Sequence, residues 1–478
     1  MILQMEEKFE DYLRDESKLQ GYADSISFPS SEDDIRQIIE GNRESCITIQ
    51  GGRTGLVGGA VPMGGHLMNL SRMNRILSYD SSCQDNAILV AEPGVSLMEL
   101  EQAIRCNSRK RPMFWPCMPT EKSATVGGCV AANARGIYGN VYGPAGEYVE
   151  EVRLMLSSGE IVEASRDKDS RLLEEIVGSE GILGVITRVT LRLVPRPACI
   201  WGLALFFREE GMGAAFADAI PADTGKEAFV AAAEWIDRRG IELLEERKMS
   251  MSRLRDFPEI DRQYSCAVLL ELHAQDEEYM LELAGCLMDL SAGYGADPDC
   301  TWAMAGEQEA CRLREYRHGV AEAVNMKVEE NHRRCSRIVK LSSDMTMVGG
   351  FSGILGQYRG LLDQSGMDGT IFGHIMSRDL HMNLLPVNEE EYGTARKILE
   401  GLAGQALCGG GRPVSEHGAG KIKAGMYGVM ETRKRMARKL SFDPGGMWNR
   451  GDVANDGLCG MYQTGTSHIG RGYGWADR

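Results

Sequence analysis

The sequence predicts a mixed chain, an α/β N-terminal part followed by an α+β domain with a core of its own, and three observations predict it. The 478 residues exceed one ordinary domain and fit two or three. Hydrophobic residues at 43% and charged residues at 26% allow a packed core and exclude global disorder. The glycines gather in the first two hundred residues, at 51–65, 127–146 and 178–184, between short β-like segments. The chain divides at 1–197, 198–440 and 441–478.

In the first part, segment 30–39 reads as an amphipathic helix with Ser31 as its N-cap and acids in its first turn. Segments 46–50, 87–91 and 149–156 read as strands, and 187–194 alternates as a half-buried strand should. The turn at 195–197, Pro-Arg-Pro, closes this part. Beyond it, 231–236 and 267–272 read as strands of a second sheet, with helices at 276–290, 307–324 and 388–402. The Phe-Asp-Pro-Gly-Gly stretch at 442–446 breaks the last helix, and the glycine-rich tail from Asn455 reads as loosely ordered.

Charge narrows the function. Lys+Arg 53 against Asp+Glu 69 leaves −16, a field that repels phosphate backbones and anionic lipid. A nucleic-acid or membrane-surface role is therefore disfavoured, and an anionic substrate needs a local patch of Arg and Lys. The N-terminus is charged from its sixth residue, and the longest apolar run, 198–207, is far short of the ~20 residues of a membrane helix. Thirteen scattered cysteines form no C-x-x-C pair, which argues against a disulfide framework and against a cluster carried by this chain. Reduced thiols in a cytoplasmic protein are the expectation.

Two sets of motifs carry chemistry. QGGRTGLVGG (50–59) follows a predicted strand, and closely spaced glycines let backbone N–H groups converge on an anion. It is neither a Walker loop nor a G-x-G-x-x-G fingerprint. PTEKSATVGGCVAANARG (119–136) and GSEGILGVIT (178–187) follow in order. Further on, FGHIMSRDLHMNL (372–384) sets His374 and His381 seven residues apart, with Asn383 two beyond. VSEHGAGK (414–421) supplies Glu416 and His417. A lone histidine is usually a plain structural residue, but three of the chain's eight lie in these two motifs. A His/His/Glu set beside a further His suits an open divalent-metal site with an adjacent base.

In order and spacing these motifs resemble the FAD-linked oxidase family of the vanillyl-alcohol oxidase superfamily, near its D-lactate dehydrogenases and glycolate oxidase D subunits. The resemblance covers roughly residues 20–450. The family patterns are G-x-G-T-G-L-x-G-G, T-I-G-G-N-x-A-x-N-A-G-G, G-S-E-G-T-L-G-I-I-T, G-H-x-G-D-G-N-L-H-x-N and S-E-H-G-x-G. The resemblance implies a PCMH-type FAD-binding domain of two α/β subdomains over 1–197. It also implies an α+β cap domain over 198–440 bearing metal and catalytic residues, and a segment from 441 that returns to the FAD domain.

Carried over position by position, the flavin pyrophosphate would be wrapped by Gly51, Gly52, Arg53, Thr54, Gly55, Leu56 and Gly58. Pro119, Thr125, Gly127, Gly128, Asn133 and Gly136 would line its other side, and Gly184 and Val185 its adenosine end. Arg53 stands where the family has a glycine, placed either to pair with phosphate or to point into solvent, and Cys129 replaces an Asn. Relatives with covalent flavin carry a histidine in the first loop; this loop has none, so noncovalent FAD is expected.

The metal ligands implied are His374, His381 and Glu416, for zinc or manganese. His417 would be the base, and Asn383 would meet the substrate. Arg317, in YRHG (316–319), and Lys340, in VKL (339–341), align loosely with residues that hold the substrate carboxylate, and a solvated helix face is the competing reading for both. The family's G-D-G-N is Met376, Ser377, Arg378 and Asp379 here. Loss of both turn glycines predicts a differently bent loop, and Arg378 adds positive charge near the site, pointing to a larger or more anionic substrate than lactate.

The activity implied is FAD-dependent oxidation of a D-2-hydroxy acid (lactate, glycolate or 2-hydroxyglutarate-like) to the 2-oxo acid. Electrons would pass to a separate acceptor, such as an electron-transfer flavoprotein or an iron–sulfur subunit. A homodimer is left open. Two rival readings are a redox-neutral transferase like the alkylglycerone-phosphate synthases and a non-catalytic flavin-binding partner subunit.

Overall fold

A computed structural model describes residues 2–83, 85–221 and 227–453 of the chain, which build three sheets. The expectation for the tail beyond Asn455 lies outside the described residues. The first sheet runs Ile2–Gln4, Ser25–Ser27, His66–Asn69, Ile47–Gln50, the last three strands parallel to one another and the first antiparallel to Ser25–Ser27. Helix Glu32–Gly41 covers it with Ile35, Ile38 and Ile39. Ser31 caps that helix by accepting the Asp34 N–H at 3.1 Å, as its position just before three acids predicts.

The second sheet is antiparallel. Val185–Pro195 pairs with Ala87–Ala91 on one side and Val149–Met155 on the other, so its alternation is that of a central strand.

The third sheet has eight antiparallel strands and holds the cap together. Trp302–Ala305, Cys199–Phe207, Cys266–Ala274, Ala228–Asp237, Gly369–His374 and Asp379–Leu384 follow one another across it. The apolar run read at 198–207 is thus a strand buried on both faces. No helix among the described residues is long and apolar enough to cross a membrane.

One face of this sheet packs on helices Glu210–Ala219, Glu277–Gly293, Phe351–Ser365 and Glu389–Cys408 around Trp235, Phe351, Tyr358 and Ile371. The other carries helix Glu307–Arg334, ten residues longer than the periodicity alone indicates. The extension is held by buried Asn331, whose Nδ2 donates to the carbonyls of Leu385 and Pro386 at 3.3 and 3.0 Å.

Several ties join the N-terminal part to the cap and to the segment after it. Tyr138 donates to Glu271 Oε1 at 2.6 Å, and Tyr142 meets His273 Nδ1 at 3.1 Å. Glu180 accepts the N–H groups of Ala419 and Gly420 at 2.9 and 2.8 Å and pairs with Arg435 at 2.8 Å. Met447 and Asn449 exchange backbone hydrogen bonds with Ile47, extending the first sheet.

Candidate active site

Residues from all three sheets and their connecting loops line a cleft of about 2140 Å³, well above the ~300–1,000 Å³ of ordinary ligand pockets. It has room for a cofactor as well as a substrate. Its first wall is the loop after strand Ile47–Gln50. A Cβ on Gly51 would lie 2.4 Å from Thr125 Oγ1, and one on Gly52 2.4 Å from the Ser123 carbonyl oxygen. The two glycine-rich loops therefore close on each other only because both positions lack side chains.

Gly51, Gly52, Arg53, Thr54, Gly55, Leu56, Pro119, Thr125, Gly127, Gly128, Gly136 and Gly184 all line the cleft. Three residues carried over with them do not. Gly58 turns with φ +77° and its carbonyl accepts from Lys421 at 3.3 Å. Asn133 ends a helix in the left-handed region, and its Oδ1 accepts the Gly146 N–H at 2.8 Å. Val185 is buried within its strand. Arg53 adopts φ +61°, the conformation a glycine would supply, and its guanidinium lies 4.4 Å from the Tyr12 ring centre and donates to the Asp11 carbonyl. Cys129 is buried, and burial pushes its thiol up to about 12, so it stays protonated and unreactive.

The opposite wall is the polar end of the cap sheet. Alternate residues share a face, so Glu234 and Ile236, Phe372 and His374, and Asp379, His381 and Asn383 turn to the same side. Register then sets them together, with Glu234 opposite His374 and Phe372 opposite His381. The loop carrying Glu416 and His417 reaches the same point. His374 Nε2 lies 2.9 Å and His381 Nε2 3.8 Å from Glu416 Oε2. One donor atom from each of His374, His381 and Glu416 lies within 4.8 Å of the others, and the same holds for Asp344, His381 and His417.

Ligand atoms held about 2.1 Å from a tetrahedral ion sit roughly 3.4 Å apart, so the first set has the dimensions of a metal site. Its surroundings fit as well. His374 Nδ1 faces Glu234 Oε1 at 2.5 Å, the outer carboxylate that orients a metal-bound imidazole. His381 Nδ1 and Asp379 Oδ1 are buried without a hydrogen-bond partner. Burial opposes charge on His374, but Glu234 and Glu416 outweigh it and raise its pKa well above the ordinary value. Burial, reinforced by His417 and His374, holds His381 well below.

His417 stacks on His381 with ring centres 5.0 Å apart. Its Nδ1 lies 3.5 Å from Asp344 Oδ2, and burial holds its pKa below the usual imidazole value against the pull of Asp344 and Glu416. Asp344, at φ +41°, also accepts the backbone N–H groups of Glu416 and His417 at 2.9 and 3.2 Å, and Lys423 pairs with it at 3.1 Å.

Arg317 is buried rather than on a solvated helix face. Its Nε donates to Glu234 Oε2 at 2.8 Å, and its guanidinium stacks over Phe372 at 4.7 Å. Lys340 is buried on the cleft wall, donates to Asn325 Oδ1, and burial lowers its pKa to about 7. Asn383 donates to the His381 carbonyl at 2.9 Å and leaves its own Oδ1 without a partner.

The hairpin between the two histidines closes without the family's glycines, because Arg378 takes φ +55° and donates its N–H to Ile375. The Arg378 side chain is exposed and acts on Asp218, not on the cleft, so the charge expected from it near the site is not there. Sequence reasoning missed Glu234 and Asp344. Glu234 left a signal, a carboxylate inside the otherwise apolar stretch 231–236.

The "FAD binding domain" family model matches residues 23–165, and "FAD linked oxidases, C-terminal domain" matches 212–453. A D-lactate dehydrogenase of Anaerostipes hadrus is 37% identical over 43% of this chain, a match spanning 44% of that relative. A D-lactate dehydrogenase of Archaeoglobus fulgidus is 26% identical over 89% of this chain and 90% of its own length. A D-2-hydroxyglutarate dehydrogenase of Xanthomonas citri pv. viticola is 28% identical over 84% of this chain and 81% of its own. Among solved structures, 4-ethylphenol oxidase from Gulosibacter chungangensis superposes with a TM-score of 0.70 at 17% identity, covering 96% of this chain and 95% of that one, a likeness of fold.

Proposed function

The chain belongs to the FAD-linked oxidases, a family of flavin-dependent oxidoreductases, and on that premise we propose that it oxidises a D-2-hydroxy acid to the 2-oxo acid. The observation that carries the reading is the convergence of His374, His381, Glu416 and His417 on the cleft that the glycine loops line. The names of the relatives, dehydrogenases of D-lactate and D-2-hydroxyglutarate, point the same way.

In this reading the cleft-facing backbone of Gly51–Gly59 and Gly127–Gly128 holds FAD noncovalently, and His374, His381 and Glu416 hold a divalent ion. When bound, FAD supplies the acceptor for the Cα hydride and the ion lowers the pKa of the substrate hydroxyl. The chain's own residues do the rest. Arg317 has one N–H on Glu234 and keeps its terminal nitrogens for the substrate carboxylate, with Lys340 beside it. Asn383 offers its free Oδ1. His417, neutral because it is buried, takes the hydroxyl proton at Nε2, while Asp344 fixes the ring from the Nδ1 side.

The product leaves as the 2-oxo acid, and a separate electron acceptor reoxidises the protein. An electron-transfer flavoprotein or an iron–sulfur subunit fits, since the sequence has neither cluster spacing nor a dinucleotide fingerprint of its own. Anaerobic mixing with a panel of D- and L-2-hydroxy acids tests the reading. Flavin absorbance should bleach with the D series. No bleaching with any member would leave a redox-neutral or purely binding role.

A further inference from the structure

Among the arginines lining the cleft, only Arg109 and Arg135 engage no partner among the described residues, and Arg109 is exposed whereas Arg135 is half-buried. Arg314 is held by Glu271 at 2.8 Å, Arg317 by Glu234 at 2.8 Å, and Arg196 and Arg253 by Glu307 and Glu322. No hydrogen bond or ion pair among the described residues engages the guanidinium of Arg135. It is half-buried, so its charge is partly stripped of water; Asp379, Glu416 and Glu147 act on it through space but none is in contact with it, which leaves its guanidinium fork open to an anion.

Its place gives that anion a role. Arg135 lines the main cleft and also a small hollow shared with His374, Asp379 and Glu416. It therefore meets the histidine cluster from the Asp379–Glu416 side, whereas Lys340 acts on it from the His417 side. Exposed Arg412 is close enough to repel Arg135 and adds a second positive charge on that side, facing the carboxylates of Asp379 and Glu416. Arg135 shares the cleft with Arg317, Lys340 and His417 but shares its small hollow with none of them, so a molecule held by those three has a separate cationic group within the same cleft.

We propose that Arg135 is a specificity-determining residue that binds a second anionic group, so that the preferred substrate is a 2-hydroxy acid bearing another carboxylate beyond C2. This rests on the 2-hydroxy-acid reading above and narrows it to dianions. A guanidinium fork matches a carboxylate by paired, charge-assisted hydrogen bonds, and a monoanion such as lactate leaves it unmet.

The test uses the purified FAD-loaded protein and its Arg135→Met and Arg135→Lys variants, in two measurements. Anaerobic stopped-flow reduction compares D-2-hydroxyglutarate with D-lactate. Equilibrium titration, followed by perturbation of the flavin spectrum, compares 2-oxoglutarate with pyruvate, neither of which reduces the flavin. The expected result is a wild type that favours the dianion in both. Arg135→Met should cut the dianion-to-monoanion ratio of kcat/KM, and of affinity, by about 10–150-fold, with Arg135→Lys recovering part of it.

Equal losses for both ligand classes, or a shifted flavin midpoint potential, would assign Arg135 to the flavin instead and overturn the proposal. So would a wild type that favours the monoanions or binds neither oxo acid. If no hydroxy acid bleaches the flavin while 2-oxoglutarate still binds through Arg135, the anion site stands and the oxidation reading falls.

Discussion

The two walls of the cleft are built in opposite ways. The flavin-side wall is backbone: glycines 51 and 52 lie against Ser123 and Thr125 where no Cβ fits, and Arg53 takes a glycine's dihedral. The histidine-side wall is side chain, drawn from strands Ala228–Asp237, Gly369–His374 and Asp379–Leu384, helix Glu307–Arg334 and two loops. Local backbone requirements leave a contiguous trace in the sequence. A constellation assembled from distant segments leaves only its separate members, and the pairs that tie them together appear when register is known.

That difference sets where the walls should break. The largest effect expected is at His417. His417→Asn should retain FAD and metal yet slow anaerobic flavin reduction by about 10²–10⁴-fold, the usual loss on removing a general base. A variant that melts early but reduces its flavin within a few-fold of wild type would make His417 a packing residue, and the histidine wall would lose its base.

The next effect is at Glu234, which the sequence alone did not single out. It bridges Arg317 and His374 from beneath the wall. Burial disfavours its charge, but His374 and Arg317 hold its carboxyl below the ordinary value, so it is ionised. Glu234→Gln keeps the shape and removes the charge. Metal affinity, read by competitive chelation, should fall by about 10–100-fold, as for other residues that orient a metal-bound histidine, with FAD content unchanged. Unaltered metal affinity would show that His374 needs no outer carboxylate.

Much of this molecule was legible beforehand. The cap at Ser31, the strand 87–91 and the break after Phe442 fall where the residues require them. The glycine loops and both histidine motifs meet at one cleft. What escaped was long-range. Asp344 is 72 residues from Glu416 and touches it only because a left-handed turn aims its carboxylate there. Arg378 reads as a charge in the site, yet hairpin geometry turns it outward. Arg135, inside a quoted motif, gained meaning only when the cleft arginines around it, Arg314 and Arg317 among them, proved to be paired.

His66 shows what an ordinary buried histidine looks like, and it is the smallest effect and the sharpest control. It lies in the first sheet with Ser25 Oγ 2.8 Å from Nδ1 and Ser27 Oγ 2.7 Å from Nε2, so both ring nitrogens are met by neutral groups. Burial lowers its pKa to about 4, against 6.5 when unperturbed. Between these values the unfolded chain binds the extra proton and the folded chain does not, so the contribution to stability is full above pH 6.5 and drains away as pH falls toward 4. At pH 5.5 the loss amounts to about 1 kcal/mol relative to pH 7.5. Urea unfolding at the two pH values should show that increment in wild type and lack it in His66→Gln, with flavin reduction by substrate untouched. If the increment persists in His66→Gln, the acid sensitivity belongs to other groups, and His66 no longer serves as the plain counterpart against which His374, His381 and His417 are judged.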